Sequence, residues 1–175
     1  MDDYYQRGFG PAADDVKAYW TLLERMRMEF VAEEPSRFRA FDLPKKYTPE
    51  LFAKAQSHLD AAAAKLKAAD EQYRRRLHFI QCGLDYAKLV ADTRLAMQKV
   101  EASKGQDADA KAKVLANWER AEAMKKVFPE HAINWQSVWR APGGGGDSNK
   151  RVMGLHPNAP LSGRTLEELR TPGLE

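Results

Sequence analysis

The sequence predicts an all-α fold, an up-and-down bundle of about four long helices followed by a flexible C-terminal tail. Three observations support this prediction. Apolar residues recur every three or four positions through most of residues 10–128, which is the spacing of one helical face. Prolines and glycines fall at the ends of these stretches, where helices begin and end. The chain then changes character at the GGGG run of residues 143–146, a flexible linker composition.

The first two long helices have clear start and stop signals. Gly10 and Pro11 favour a first helical turn, and Pro35 ends the helix because the residue before a proline avoids the helical conformation. Residues 35–47 then predict an ordered connector, and Thr48 caps the next helix, with Pro49 at its first position. The two inward stripes are Val16, Tyr19, Trp20, Leu23, Met26 and Phe30, and then Phe52, Ala55, Leu59, Ala62 and Leu66.

The third helix is predicted to be long and central. It begins at the cap Asp70 and ends before Gly105, and it is apolar on two sides, which indicates burial on two sides. Its stripes are Tyr73, Leu77, Ile80, Leu84, Ala87 and Ala91, and Phe79, Cys82, Tyr86, Val90, Met97 and Val100. A fourth helix ends at Pro129, with Val114, Leu115, Trp118, Ala121 and Met124 facing inward. Residues 1–141 are thus the bundle domain, and residues 142–175 a linker and partly disordered tail.

Composition excludes two classes of partner. The net charge is only +3 and no concentrated basic face is evident, so we expect no nucleic-acid partner. No apolar run is long enough to cross a bilayer, so we expect no membrane partner. Met1 is followed by Asp2 and Asp3 rather than by a basic and then apolar stretch, which does not resemble a signal peptide.

The residue types that carry catalysis or bind metals are scattered. The histidines, at positions 58, 78, 131 and 156, lack the spacings of metal ligands, so we expect no metal and no cofactor. Cys82 lies on an apolar stripe, where a free cysteine packs as a small hydrophobic residue. The carboxylate pairs Asp14-Asp15 and Glu33-Glu34 are adjacent, and adjacent helical side chains diverge by about 100°. We therefore expect no catalytic residues and no enzyme activity in this chain.

Aromatic and cationic clusters are the remaining candidates for binding. Trp135 and Trp139 are four residues apart and would share a helical face, and Tyr4 and Tyr5 are adjacent near the start. Such rings can stack on the apolar face of a sugar, although packing into a core or a domain interface is the alternative. The cluster Arg74 to Arg76 predicts a solvated helix face or a contact with an acidic surface of another domain.

Three stretches carry a family resemblance. DDYYQRGFGPAADDVKAYW at residues 2–20 combines a tyrosine-rich helix end, a G-F-G-P-A-A turn and a V-K-x-Y helix start. LPKKYTPELFAKAQSHLDAA at residues 43–62 and RLHFIQCGLDYAKL at residues 76–89 supply two further helices. Residues 2–104 thereby resemble the C-terminal helical region of a family of large bacterial proteins that look like glycoside hydrolases. That family combines an alpha-glucuronidase-type N-terminal domain with a TIM-barrel-like core.

The resemblance implies a non-catalytic role, because the barrel that would hold catalytic carboxylates is not in this chain. It implies that Tyr4 and Tyr5 end a barrel-associated element, and that the parent protein is secreted or periplasmic. Three hypotheses stay open. The first is an accessory domain that packs against the neighbouring barrel or shapes its cleft. The second is a carbohydrate-binding module whose partner is a polysaccharide, with Trp135, Trp139, Tyr4 and Tyr5 as its rings. The third is a protein-interaction bundle unrelated to sugars.

Overall fold

The structure is a computed structural model and describes residues 2–33, 43–129 and 132–133. This part of the chain is mostly helical and contains no strand, which confirms the all-α prediction. The helices are α1 (Asp2–Phe9), α2 (Ala13–Glu33), the short α3 (Leu43–Lys46), α4 (Pro49–Lys65), α5 (Glu71–Ala102) and α6 (Ala108–Val127). Most of the predicted connector and all of the predicted tail lie outside the described residues.

Helix α1 is additional to the four long helices that the sequence predicts. The described residues hold five helices of at least eight residues rather than about four, and the four predicted ones correspond to α2, α4, α5 and α6. Acidic Asp2 and Asp3 occupy the first turn of α1, and Arg7 lies in its last turn. This arrangement complements the helix dipole. A single 3-10 turn, Gly10–Ala12, joins α1 to α2.

Side-chain caps fix the starts of the later helices. Thr48 Oγ1 accepts a hydrogen bond from the Leu51 N–H at 3.2 Å, and Asp70 Oδ1 accepts one from the Gln72 N–H at 2.8 Å. Both predicted caps are confirmed, since each side chain satisfies a donor that the helix leaves unpaired. The predicted end of α5 is confirmed as well, because the chain leaves the helix through Gly105 at a φ of +83°.

The chain divides into two compact units, Met1–Asp85 and Tyr86–Glu175, with the boundary inside α5. The core of the first unit is a cluster in which the side chains of α2, α4 and α5 meet those of α1. Ala55 and Ala62 on α4 are completely buried, and their small side chains allow close approach of a neighbouring helix. The buried members are Phe9, Ala12, Val16, Tyr19, Ala55, Leu59, Ala62, Leu66, Leu77, Ile80 and Leu84.

The second unit contains buried polar residues that the apolar stripes did not predict. Asn117 Nδ2 on α6 donates hydrogen bonds to Thr93 Oγ1 and Asp92 Oδ2 on α5, each at 3.1 Å. The Thr93 hydroxyl donates in turn to the Leu89 carbonyl at 2.7 Å. Lys113 Nζ pairs with the same Asp92 oxygen at 2.8 Å. Because a buried amide needs its partners, these bonds favour one register of α5 against α6.

Two aromatic residues point the other way from their predicted stripes. Trp20 is 44 % exposed and Phe79 is 47 % exposed, so the prediction that both face inward is wrong. Tyr19 occupies the core beside Trp20, and a helix turns by about 100° per residue. The stripe is therefore too narrow for both rings. In the same way, Ile80 occupies the buried position on α5, and the adjacent Phe79 is exposed.

Gly10 is the position most sensitive to substitution in the first unit. Its φ is +52°, and a Cβ built there would lie 2.7 Å from Cε2 of Tyr73. We expect Gly10→Ala to lower the free energy of unfolding by about 2 kcal/mol or more, because left-handed backbone strain and a ring clash add. Thermal unfolding followed by circular dichroism measures this as a fall in melting temperature of roughly 5 °C or more.

Gly83→Ala is the matched control for that measurement. Gly83 lies inside α5, and a Cβ there meets nothing within 4 Å. Alanine is the better helix former, so this variant is expected to gain roughly 0.5–1 kcal/mol. Equal melting temperatures for the two variants would contradict the strained turn at Gly10.

A salt bridge joins the start of α1 to α2. Lys17 Nζ lies 2.7 Å from Asp2 Oδ1, and this hydrogen bond and the lysine charge lower the pKa of Asp2 below its ordinary value. A carboxyl with a lowered folded-state pKa adds stability above its unfolded-state pKa, and that stability is lost as pH falls through the folded-state pKa. NMR titration of the Asp2 carboxyl should show this lowered pKa, and Lys17→Met should return it to the ordinary value. An Asp2 pKa that is the same in both proteins would contradict the pairing.

Candidate functional site

An open groove of about 640 Å³ lies in the first unit and is the strongest candidate for a functional site. We call it the aromatic groove. Its lining includes three aromatic and three charged residues, and all of them except the partly buried Arg76 are exposed: Tyr4, Trp20, Phe79, Asp3, Arg7 and Arg76. The buried side chains of Phe9 and Ile80 also line it. The groove therefore combines an apolar base with rings and charges that reach solvent.

Helical spacing places these residues on one surface. On α1, Arg7 lies three positions after Tyr4 and four after Asp3, and on α5, Phe79 and Ile80 lie three and four positions after Arg76. Side chains with these spacings share a helical face. α2 contributes Trp20, and all three helices meet in the first unit.

Edge-to-face ring contacts orient the exposed rings. The Tyr4 ring lies 5.3 Å from the Tyr5 ring and 6.5 Å from the Phe9 ring, with interplanar angles of 76° and 71°. The Trp20 ring meets the Tyr19 ring at 5.1 Å and 78°. Burial raises the pKa of Tyr19 to about 12. Rings held in this geometry lose little freedom when a partner binds.

Arg76 holds the end of α1 in place. Its Nη1 donates to the backbone carbonyls of Arg7 and Gly8, each at 3.1 Å. The last carbonyls of a helix have no partner within the helix, so the guanidinium caps α1 from α5. Arg7 is itself paired with Asp3 at 2.7 Å. Since that pair is neutral overall, Arg76 gives the groove a net positive charge.

Each residue of the predicted binding set has a different outcome. Tyr4 lines the groove and is 65 % exposed, whereas Tyr5 is partly buried and packs on the core. Trp135 and Trp139 lie outside the described residues, so their role as a platform stays a prediction. Sequence reasoning missed Trp20 and Phe79 because it placed both on inward stripes.

The Arg74 to Arg76 cluster has two roles rather than one. Arg74 and Arg75 lie on the exposed surface and pair with Glu71, at 2.5 Å and 3.5 Å. Arg76 is partly buried and meets α1. The predicted solvated face therefore describes Arg74 and Arg75, while Arg76 belongs to the groove. The sequence held a signal for this role. Arg76 precedes Phe79 by three residues and Ile80 by four, and these spacings place the three side chains on one helical face.

Cys82 and His78 form a contact that sequence reasoning overlooked. Cys82 Sγ lies 3.7 Å from His78 Nε2, one helical turn away. The thiol is buried, and burial together with the charge of Asp85 raises the pKa of Cys82. A raised pKa disfavours the thiolate, which is the nucleophilic form. Cys82 therefore belongs to the core, as predicted, whereas His78 is exposed.

Among residues 2–33, 43–129 and 132–133, no group of three His, Cys, Asp or Glu side chains could hold a metal ion. In the same residues, every helix is too short or too polar to span a bilayer.

Comparisons with protein-family models, with curated proteins and with solved structures found no match for this chain.

The Cys82 environment predicts an unreactive thiol. We expect the native protein to react with a disulfide reagent such as DTNB at pH 8 at least about 100-fold more slowly than the unfolded chain, because the thiol is buried and its pKa is raised. The absorbance of the released thiolate follows both rates, with and without denaturant. Equal rates would contradict the buried position of Cys82.

Proposed function

We propose that this chain is a non-catalytic helical accessory domain of a larger glycoside-hydrolase-like protein, an up-and-down bundle that packs against the neighbouring barrel or shapes its cleft. The family and the barrel come from the resemblance of residues 2–104. The docking role is supported by a single observation, the exposure of Tyr4, Trp20 and Phe79 around one groove. We take the aromatic groove as the surface that meets the partner.

The groove has the composition of an interface that binds protein. Tyr, Trp, Phe and Arg are enriched where proteins bind one another, and a buried aromatic anchor contributes about 2 kcal/mol or more. Here the rings of Trp20 and Phe79 supply apolar area, and the Asp3–Arg7 pair supplies a polar edge. Covering the rings removes apolar surface from water at roughly 25 cal/mol per Å².

The groove also supports a non-catalytic role. Of the described residues that line it, Asp3 alone carries a carboxylate, and that carboxylate is paired with Arg7. Glycoside hydrolysis in most enzymes needs two carboxyl groups on either side of the scissile bond. We therefore expect this chain to bind rather than to react.

The test is a binding measurement with the neighbouring segment. The polypeptide encoded directly upstream of this chain in its natural reading frame is expressed separately, and its Kd for the full chain is measured by calorimetry. We expect Trp20→Ala and Phe79→Ala each to weaken binding by about tenfold or more, the effect of losing an aromatic anchor. Met28→Ala is the matched control, since Met28 is 65 % exposed and lies outside the groove lining.

Three results would overturn this proposal. A natural reading frame without a barrel sequence removes the proposed partner. A barrel segment that does not bind the full chain removes the docking role. If Met28→Ala weakens binding as much as Trp20→Ala and Phe79→Ala do, the groove is not the docking surface.

Carbohydrate binding is the second candidate, and the same exposed rings favour it. A pyranose stacked on Trp20 or Tyr4 would remove apolar area from water on both partners. Affinity electrophoresis in gels that contain a polysaccharide tests this, with Tyr4→Ala and Trp20→Ala compared against Met28→Ala. Retardation that only the groove variants lose would favour sugar binding. The third hypothesis, a protein-interaction bundle unrelated to sugars, gains if the groove binds a protein other than a barrel.

A further inference from the structure

Arg76 has hydrogen-bonding capacity that the fold does not use. Its Nη1 makes both bonds to α1, at 3.1 Å to the Arg7 and Gly8 carbonyls. A guanidinium carries five N–H donors, and its Nε–H and one N–H of Nη2 form an edge that can bind a carboxylate. Within the described residues, no other group accepts a hydrogen bond from Arg76. The guanidinium is therefore fixed on one side and available on the other, in a groove lined by rings.

We infer that the occupant of the aromatic groove is a protein segment that carries one carboxylate beside a large apolar side chain. The carboxylate pairs with the unused edge of Arg76, and the apolar side chain packs against Trp20 and Phe79. Arginine suits this role because its planar fork matches a carboxylate with two parallel hydrogen bonds. The inference rests on the proposed docking function and names the chemistry of the partner.

The net charge of the groove indicates how many carboxylates the bound protein segment carries. Asp3 and Arg7 neutralise each other at 2.7 Å, so the groove presents one unpaired positive charge, on Arg76. A nucleic acid needs several cationic contacts to its phosphates, and an anionic membrane needs a cluster of basic residues. A single acidic side chain is the match in charge for this groove.

The apolar base of the groove favours a protein side chain over a sugar. Phe9 and Ile80 line the groove but are almost completely buried, so a group that enters deeply meets hydrocarbon. Sugar hydroxyls lose hydrogen bonds in such surroundings unless partners replace them. A leucine or aromatic side chain loses none.

Peptide selection tests the inference without knowledge of the natural partner. A random peptide library displayed on phage is selected on the immobilised full chain, and enriched sequences are synthesised for calorimetry. We expect enriched peptides to hold an Asp or Glu within a few positions of a Leu or an aromatic residue. Replacing that acid with its amide should weaken binding to the unmodified protein by about tenfold or more, the effect of losing a charge-assisted hydrogen bond.

Variants of the protein give a second measurement. Arg76→Gln should weaken the selected peptide about tenfold or more, and Arg76→Lys should weaken it less because the charge remains. Arg75→Gln is the matched control, since Arg75 is the neighbouring exposed arginine and pairs with Glu71. It should leave the Kd within about twofold of the original value. Because Arg76 also caps α1, the amide-for-acid exchange in the peptide decides the matter if Arg76→Gln lowers the melting temperature.

The outcomes separate this inference from the proposed function. Enriched peptides without an acid, whose binding Trp20→Ala abolishes, would overturn the carboxylate but keep the groove as a docking surface. If neither Trp20→Ala nor Phe79→Ala weakens the binding of the selected peptides, the groove is not the docking surface. A third outcome is that no peptide is enriched, that polygalacturonate retards the protein in affinity electrophoresis, and that Arg76→Gln abolishes this retardation. This outcome would assign the groove to an acidic sugar and overturn the inference that a protein segment binds there.

Discussion

The backbone at Gly10 is the constraint on which the first unit depends. Its positive φ lies in the three-residue turn that joins α1 to α2, and the absence of a side chain lets Tyr73 approach. Only with this turn can α1 lie where Arg76 reaches its last carbonyls. Two contacts between residues that are distant in sequence therefore build the groove. Tyr73 packs against Gly10, and Arg76 binds the carbonyls of Arg7 and Gly8.

The helices themselves could be predicted from the sequence because their signals are local. Thr48 and Asp70 cap the helices that follow them, and apolar periodicity identified most of the core. What failed was the exact phase of single residues. Trp20 and Phe79 lie next to the core residues Tyr19 and Ile80, and periodicity cannot tell which of two adjacent apolar side chains a neighbouring helix covers.

The site was harder to predict because it depends on tertiary contacts. Tyr4 was proposed as a binding residue from its aromatic character alone, and it does line the groove. Arg76 was grouped with Arg74 and Arg75 as a cationic run, yet its role comes from α1, nearly seventy positions away. Asn117 in the second unit shows the same limit, since its partners Asp92 and Thr93 lie 25 and 24 positions earlier. No local sequence pattern predicts hydrogen bonds between residues so far apart in the chain.

The shortness of α1 has a consequence for how the groove responds to a partner. Eight residues are too few to hold a helix in isolation, so α1 exists as a helix only while it rests on the rest of the first unit. Its residues form one wall of the groove. Undocking of α1 and loss of the binding surface are therefore one event, and an occupant of the groove necessarily shifts that equilibrium toward the docked state. The amide protons of α1 would consequently exchange with solvent more slowly when the groove is filled.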